Sequence, residues 1–185
     1  GLLRRDGGSV LVGGISIDDE PLKARSLIGF VPQELAIYPD LTAAENLAFF
    51  GRLQGFGGRE LRARVAEMLE VAGLKERSND RTANYSGGMK RRLNIAVGLI
   101  NRPRLLILDE PTSGLDPLMI EAFAETVDDL SRSGRTTVFL SSHILSEVDR
   151  ICQRIGLVRG GQLVAVRTLS ELRAAAPRRM TVLFS

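Results

Sequence analysis

The sequence has 185 residues, of which 44% are hydrophobic and 25% charged, and its formal net charge is +3. This length and composition indicate one globular domain, alone or with an inserted subdomain. The 25 basic residues are spread among 22 acidic ones, which argues against a nucleic-acid-binding stripe. No apolar run approaches the roughly 18 residues of a membrane span, and the single Cys152 is typical of a reducing compartment.

The first forty residues predict short strands and one helix. Val10-Leu11-Val12 and Ile15-Ser16-Ile17 flank Gly13–Gly14, which is the pattern of a tight hairpin. Pro21 is expected to begin a short helix, and a strand over 28–31 is stopped by Pro32. Gln33 then stands at the carboxyl end of a strand, where a glutamine is usually only a polar surface residue.

The segment 38–100 predicts a helical insertion. Thr42 and Glu45 have capping-box spacing, so a helix should begin at Thr42, and apolar spacing predicts a second helix over about 59–72 with Gly73 as a C-cap. The residues expected to face the core are Leu47, Phe50 and Leu53 in the first helix, and Leu61, Val65, Met68, Leu69 and Ala72 in the second.

A third helix should begin at Ser86, which is a good N-cap residue. Gly87 and Gly88 weaken the first turn, but they remove side chains that would keep a ligand away from the backbone N–H groups. A helix N-terminus of this kind binds anions, and phosphate is the natural occupant. The alternative is an ordinary capped helix with a glycine-rich entry. The expected apolar face is Met89, Leu93, Ala96, Val97 and Ile100.

Four large apolar residues, 105–108, predict a strand buried on both faces of a parallel sheet. Asp109 and Glu110 follow at its carboxyl end, the edge where open α/β sheets bind ligands. One carboxylate can hold a metal while the other acts on a water. The simpler alternative is that the acidic pair only starts a loop. The unusual string Pro-Thr-Ser-Gly-Leu-Asp-Pro after the pair argues against this interpretation.

The last third of the chain predicts alternating helices and strands. His143, the only histidine, lies just beyond a strand, in the same relation to it as Gln33 and Asp109 have to theirs. A lone histidine is more often structural than catalytic, but this placement favours a role in the site. The predicted elements are a helix from Pro117 to about Arg132, a buried strand over 136–140, a helix over about 145–151, a hairpin around Gly160–Gly161, a helix capped by Ser170 and a strand over 180–184.

Four separated strings together resemble the ATP-binding domain of ABC transporters, over nearly the whole chain. They resemble the Q-loop at Gln33, the signature motif at Ser86-Gly87-Gly88, the Walker B segment and D-loop at Asp109-Glu110 with Asp116, and the H-loop at His143. Tyr-Pro-Asp-Leu-Thr and Tyr-Ser-Gly-Gly-Met are similar to the bacterial drug-export, or ABC-2, branch.

The resemblance implies an α/β fold, a P-loop NTPase (RecA-like) parallel sheet core with an inserted α-helical subdomain, N-terminally truncated. It implies the core over 1–37 and 101–168, the helical subdomain with the signature motif over 38–100, and a C-terminal extension over 169–185. It also implies two copies facing each other head to tail, each nucleotide lying between them. The implied partners are this second nucleotide-binding domain and a transmembrane permease, without nucleic acid. The implied location is cytoplasmic, peripheral on the inner face of the cell membrane.

The resemblance also assigns roles toward ATP and Mg²⁺. Glu110 is the general base, and His143 contacts the γ-phosphate and orients the water. Asp109 and Gln33 act toward the metal, and Gln33 also couples the site to the permease. The remaining cofactor-binding assignments are Ser86, Gly87 and Gly88, which bind the nucleotide of the opposite copy, and Asp116, which lies at the dimer seam.

One departure from the family pattern concerns the phosphate-binding Walker A loop, Gly-x-x-x-x-Gly-Lys-[Ser/Thr]. The three lysines, Lys23, Lys75 and Lys90, do not follow a glycine, so these 185 residues contain no such loop. We therefore expect a longer parent protein with the loop upstream of Gly1, and expect this chain alone to be inactive. The alternatives are a natural subunit without the loop that lends its signature helix to an active partner, and a soluble ABC ATPase not tied to a permease.

Overall fold

The computed structural model describes residues 6–113, 115–132 and 134–175, which form two compact units divided after His143. The strands are β1 (Leu11–Val12), β2 (Ile15–Ser16), β3 (Ile28–Val31), β4 (Leu105–Asp109), β5 (Thr137–Ser141), β6 (Arg154–Arg159) and β7 (Gln162–Thr168). The α-helices are α1 (Pro21–Ser26), α2 (Ala43–Leu53), α3 (Gly58–Val71), α4 (Gly87–Leu99), α5 (Pro117–Arg132), α6 (Leu145–Ile151) and α7 (Leu169–Ala175).

A parallel sheet in the order β3–β4–β5 forms the α/β core of the first unit. Its register pairs Val31 with Leu108 and Leu108 with Leu140, so the three strands end at one edge. Helices α2, α3 and α4 lie between β3 and β4 in the chain, and α5 lies between β4 and β5. The predicted parallel α/β fold with a helical insertion is confirmed.

Helix α4 lies directly against the sheet because two glycines allow the backbones to approach. A Cβ atom added to Gly29 would lie 2.0 Å from the carbonyl oxygen of Gly98, and one added to Gly98 would lie 2.4 Å from Val31 Cγ2. A side chain at Gly29 would displace the α4 backbone, and one at Gly98 would displace the Val31 side chain. The end of β3 and helix α4 therefore have a closely fixed spacing.

The helical insertion is built as its local signals predict. Thr42 forms the capping box with Glu45, and the Ser86 hydroxyl accepts the Met89 N–H at 3.3 Å to cap α4. Leu47, at the centre of α2, is fully buried. The expectation that Leu53 faces the core is wrong. Leu53 is the last residue of α2 and is 66% exposed, because the buried side of the helix ends at Gly51.

The prediction that both faces of the sheet are buried is wrong for the described residues. Leu106 and Leu108 are buried on the face toward α4, whereas Ile107 on the opposite face is half-buried. Phe139 of β5 is 64% exposed and lies in register with Ile107. The physical reason is that α4 covers one face only, and β5 has a hydrogen-bonded neighbour on one side only in the described sheet.

The second unit contains the predicted hairpin β6–β7, with an irregular register at Leu157/Val158, and helices α6 and α7. The predicted cap at Ser170 is wrong. Thr168 caps α7 instead, because its hydroxyl accepts the Glu171 N–H at 3.3 Å and its own N–H donates to Glu171 Oε2 at 2.8 Å. The strand predicted over 180–184 lies outside the described residues.

Within the described part of the chain, no helix combines the length and the apolar character that crossing a membrane requires. The assignment of 1–37 and 101–168 to a core, 38–100 to a subdomain and 169–185 to an extension stays a prediction.

Candidate active site

Asp109 ends β4 directly opposite Ser141, the last residue of β5. The Ser141 hydroxyl donates to Asp109 Oδ1 at 2.6 Å and accepts the Glu110 N–H at 3.1 Å. This hydroxyl fixes one oxygen of the Asp109 carboxylate and the start of the following turn. Ser141 was missed by sequence reasoning, although its position at the end of a strand neighbouring Asp109 is a usable signal.

Glu110 and His143 meet just beyond the ends of β4 and β5. His143 Nδ1 lies 2.8 Å from Glu110 Oε1, and the two side chains are 76% and 20% exposed, respectively. The carboxylate is thus more sheltered from solvent than the imidazole. In the tautomer with the proton on Nδ1, His143 donates to Glu110 and leaves Nε2 as an acceptor.

Glu110 has a backbone φ of 45°, in the left-handed region that residues with a side chain rarely adopt. Such strain costs on the order of 1–3 kcal/mol and is concentrated at functional sites. The conformation turns the chain sharply after Asp109, and the Ser113 N–H closes the turn on the Glu110 carbonyl at 3.2 Å. The two adjacent carboxylates therefore leave the strand in different directions.

Gln33 follows β3 at the same edge of the sheet. Because Val31 pairs with Leu108, the register places Gln33 level with Glu110. Its side chain is exposed, and its carbonyl accepts a hydrogen bond from Arg91 Nη1 at 3.1 Å. The structure thus brings the Gln33 backbone to the sheet edge that carries the carboxylates, and a contact of its side chain with them stays a prediction.

Arg91, on α4, underlies the edge and was missed by sequence reasoning. It is 3% exposed, and its guanidinium donates to five main-chain carbonyls. Burial lowers the pKa of this guanidinium, and the charge of Asp109 acts in the opposite direction. The acceptors are Pro111 from Nε at 2.7 Å, Pro32 and Gln33 from Nη1 at 2.9 and 3.1 Å, and Asp109 and Glu110 from Nη2 at 3.2 and 2.9 Å.

Ser86 and Gly87 are exposed at the N-terminus of α4, and Gly88 is half-buried. A Cβ atom on Gly88 would lie 2.9 Å from Met119 Sδ of α5, so a larger residue there would need that flexible side chain to move. The three residues lie at the start of the same helix that carries Arg91. Their exposed backbone is accessible to a second molecule.

Asp116 caps helix α5 at its N-terminus. Its Oδ1 accepts the Met119 N–H at 2.9 Å, and its carbonyl accepts the Ile120 N–H at 3.0 Å. Asp116 is exposed, and Pro117 occupies the first helical position, where its missing N–H has no cost. The structure thus gives Asp116 a capping role, and its role at a dimer seam stays a prediction.

The donor set suits a metal that takes most of its ligands from substrate and water. No group of three or more His, Cys, Asp or Glu side chains in the described ranges could hold a metal ion by itself. Mg²⁺ is usually held by one or two carboxylates together with phosphate oxygens and waters. The exposed Asp109, oriented by Ser141, fits that requirement.

Comparisons with known proteins agree with the motifs. A family model described as ABC transporter matches residues 1–113. The linearmycin resistance ATP-binding protein LnrL of Bacillus subtilis is 46% identical over 172 residues, which are 93% of this chain and 55% of that protein. The daunorubicin/doxorubicin resistance ATP-binding protein DrrA of Streptomyces peucetius is 39% identical over 174 residues, 94% of this chain and 52% of that protein.

A Nod factor export ATP-binding protein I from Cupriavidus pinatubonensis is 40% identical over 165 residues, 89% of this chain and 50% of that protein. The chain thus spans about half the length of the curated relatives it matches. A solved structure of the ATP-binding cassette MJ0796, a dimer in a post-hydrolysis state bound to ADP and Pi, superposes with a TM-score of 0.75. It is 27% identical, and the match covers 89% of this chain and 74% of that one.

Proposed function

Because the chain belongs to the ABC transporter family, we propose that it forms part of an ATP-binding and ATP-hydrolysing subunit whose site lies at the carboxyl edge of β3–β4–β5. The observation that carries the proposal is the 2.8 Å contact between Glu110 Oε1 and His143 Nδ1, next to the Asp109–Ser141 pair. Two carboxylates and an imidazole at one sheet edge are suited to activating a water beside a phosphate.

Glu110 is the general base of the proposed reaction. Its carboxylate accepts a proton from water, while His143 holds the carboxylate in place through Nδ1. The His143 side chain is 76% exposed, and we place its ring beside the γ-phosphate and the attacking water. The Ser141 hydroxyl, bonded to the Glu110 N–H, keeps the strained turn from relaxing.

Asp109 and Gln33 are the proposed residues toward Mg²⁺. Bound Mg²⁺ would neutralise phosphate charge. The exposed Asp109 carboxylate is held by Ser141, and Gln33 is held at the same edge through its carbonyl. Asp109 ends β4 and Gln33 follows the neighbouring strand β3, so a ligand between them would contact the ends of both strands.

Ser86, Gly87 and Gly88 are the proposed contact to a nucleotide held by a second copy of the domain. Exposure of Ser86 and Gly87 at a capped helix N-terminus supports this assignment, because such a terminus offers N–H groups and a positive dipole end to phosphate. We place Asp116 at the seam between the two copies. The head-to-tail dimer is the proposed active form.

We propose that the complete protein drives export through a membrane permease and is attached to the inner face of the membrane by it. The support comes from the relatives, which are ATP-binding proteins of linearmycin resistance, daunorubicin/doxorubicin resistance and Nod factor export. The position of Gln33, between β3 and the helical insertion, suits coupling between the site and such a partner.

The test uses the complete gene product that carries this sequence, purified with and without a co-expressed permease. The expected result is phosphate release from ATP that depends on Mg²⁺, and co-purification of the permease. Measurement of phosphate release with Mg²⁺ and with a chelator checks the first part. A complete product that neither binds nor hydrolyses ATP would contradict the proposal.

A further inference from the structure

Arg91 has no role in the proposed reaction, but its hydrogen bonds reach the loops that carry the candidate site residues. Its five N–H donors are the full complement of a guanidinium group, and each bonds to a main-chain carbonyl of residues 32–33 or 109–111. Three of the acceptors lie in the turn that carries Glu110, and two lie at the end of β3. One side chain thus joins the two loops that hold the candidate site residues.

We propose that Arg91 is a positioning residue that fixes Gln33 and Glu110 relative to each other and to helix α4. The inference rests on the proposed ATPase function and adds to it the residue that holds the geometry. Arg91 acts through main-chain carbonyls and not on the reacting atoms. Its replacement should therefore change the position of the site residues and remove no contact with the substrate.

The need for a cation follows from the arrangement of the carbonyls. Five carbonyl oxygens from two loops converge on one buried group, and their dipoles place partial negative charge toward each other. Without this buried donor each carbonyl would lose a hydrogen bond, which would favour separation of the loops. A lysine has three donors on a single atom, so at least two of the five carbonyls would lose their bond to this side chain.

A second polar side chain on the same stripe of α4 supports this arrangement. Asn94, one turn after Arg91, is 1% exposed. Its Oδ1 accepts the Ala36 N–H at 3.1 Å, and its Nδ2 donates to the Pro32 carbonyl at 3.5 Å. The loop after β3 is therefore bound to α4 on both sides of Gln33.

The Arg91 hydrogen bonds also connect the two parts of the proposed site, which are the N-terminus of α4 and the turn that carries Glu110. Arg91 lies five residues after Ser86, which is about 7.5 Å along an α-helix. The helix end proposed to face the nucleotide of the second copy is therefore joined to this copy's Glu110 through less than two helical turns. A displacement of that helix end would be transmitted to the Glu110 turn.

Arg64 is a matched control within the same chain. It is 4% exposed and also bonds to main-chain carbonyls, those of Leu99 and Ile100 at the other end of α4. Its Nη1 pairs with Glu67 at 2.5 Å. Arg64 thus shares the burial and the type of bond of Arg91, but it holds the end of α4 that lies away from the site.

The experiment measures ATP hydrolysis and thermal unfolding of the complete gene product with Arg91→Lys and Arg64→Lys. Both variants should unfold at lower temperature. Arg91→Lys should lower kcat about tenfold to a hundredfold, the loss typical of a misplaced reacting group, with the KM for ATP changed less than about threefold. Arg64→Lys should keep kcat within about twofold. Equal effects of the two variants on kcat would overturn the positioning role.

A double-mutant cycle with Glu110→Gln separates positioning from general damage. If Arg91 acts through Glu110, Arg91→Lys should lower the single-turnover rate little further once Glu110 is replaced. Multiplicative losses would overturn the proposal. In Arg91→Ala, added ethylguanidinium should restore part of kcat, whereas no restoration in a folded variant would count against it. A wild-type product without ATPase activity would overturn the proposed function itself, before any variant is compared.

Discussion

The helical insertion and the carboxyl edge of the sheet use polar side chains in opposite ways. In the insertion, Asn46 is fully buried and bonds to the main chain around it, and Arg64 does the same at the end of α4. At the edge, Glu110 and His143 bond to each other and remain partly exposed. The buried polar side chains of the insertion therefore stabilise the structure, whereas the partly exposed Glu110 and His143 lie where a ligand can bind.

The largest expected effect is at the edge. Glu110→Gln keeps the size of the side chain and removes its ability to accept a proton. Turnover should fall about 10²- to 10⁴-fold, the range of general acid–base catalysis. The free energy of unfolding should change little, because the glutamine oxygen can still accept a hydrogen bond from His143 Nδ1. Steady-state phosphate release and urea unfolding measure the two parts.

Asn46 provides the opposite case within the insertion. Its side chain accepts the Tyr38 N–H at 2.8 Å and donates to the carbonyls of Tyr38 and Thr42 at 3.0 and 2.9 Å. Asn46→Ala removes these three bonds and takes the side-chain acceptor away from the Tyr38 N–H, which should lower the free energy of unfolding by about 1–3 kcal/mol. Turnover per folded molecule, measured together with urea unfolding, should stay near wild type. A large fall in kcat at unchanged stability would break the comparison.

His143→Ala should have a smaller effect than Glu110→Gln. The variant removes the group that orients the Glu110 carboxylate but leaves the base itself. We expect kcat to fall about tenfold, equivalent to about 1.4 kcal/mol in the barrier, with little change in thermal stability since His143 is largely exposed. Activity equal to wild type would argue against the pairing of these residues in the reaction.

The smallest expected effect concerns the capping box of α2. The Thr42 N–H, followed by the Thr42 hydroxyl, lowers the pKa of Glu45 below its ordinary value of 4.5. A carboxyl whose pKa is lower in the folded state stabilises the fold above its unfolded pKa, and this contribution is lost as the pH falls through the folded value.

The matched comparison for that effect is Glu45→Gln. The difference in unfolding temperature between wild type and Glu45→Gln should be largest near neutral pH and should shrink as the pH falls below 4.5. Thermal unfolding over that pH range measures the trend. A difference that does not change with pH would show that the carboxylate charge has no part in the cap.

Local signals in the sequence predict the insertion well. Thr42 and Glu45 predict the start of α2, and Ser86 predicts the start of α4, because capping depends on residues within one helical turn. Asp109 is placed correctly at the end of β4, because an apolar run followed by a carboxylate marks a strand end. The family and the parallel α/β fold follow from the order of such strings.

The features that were missed depend on contacts between distant segments. Ser141 meets Asp109 only through the β4–β5 register, which the sequence does not give. Arg91 stands in the run Lys90-Arg91-Arg92, which resembles a solvated charged face. Only the phase of the helix shows that Arg91 shares a stripe with Asn94 and Gly98, which face the sheet. The exposure of Phe139 likewise depends on which elements cover the sheet, a property of the tertiary fold.

The proposed function requires that the carboxylates of one copy and the glycine-opened helix of another complete a single site. The direct measurement mixes two complete gene products, Glu110→Gln and Ser86→Arg, each inactive alone. In a head-to-tail dimer, one of the two sites of each mixed dimer is fully native. Random mixing should therefore restore about a quarter of wild-type ATP hydrolysis. A mixture no more active than the two variants measured separately would contradict a site shared between two copies.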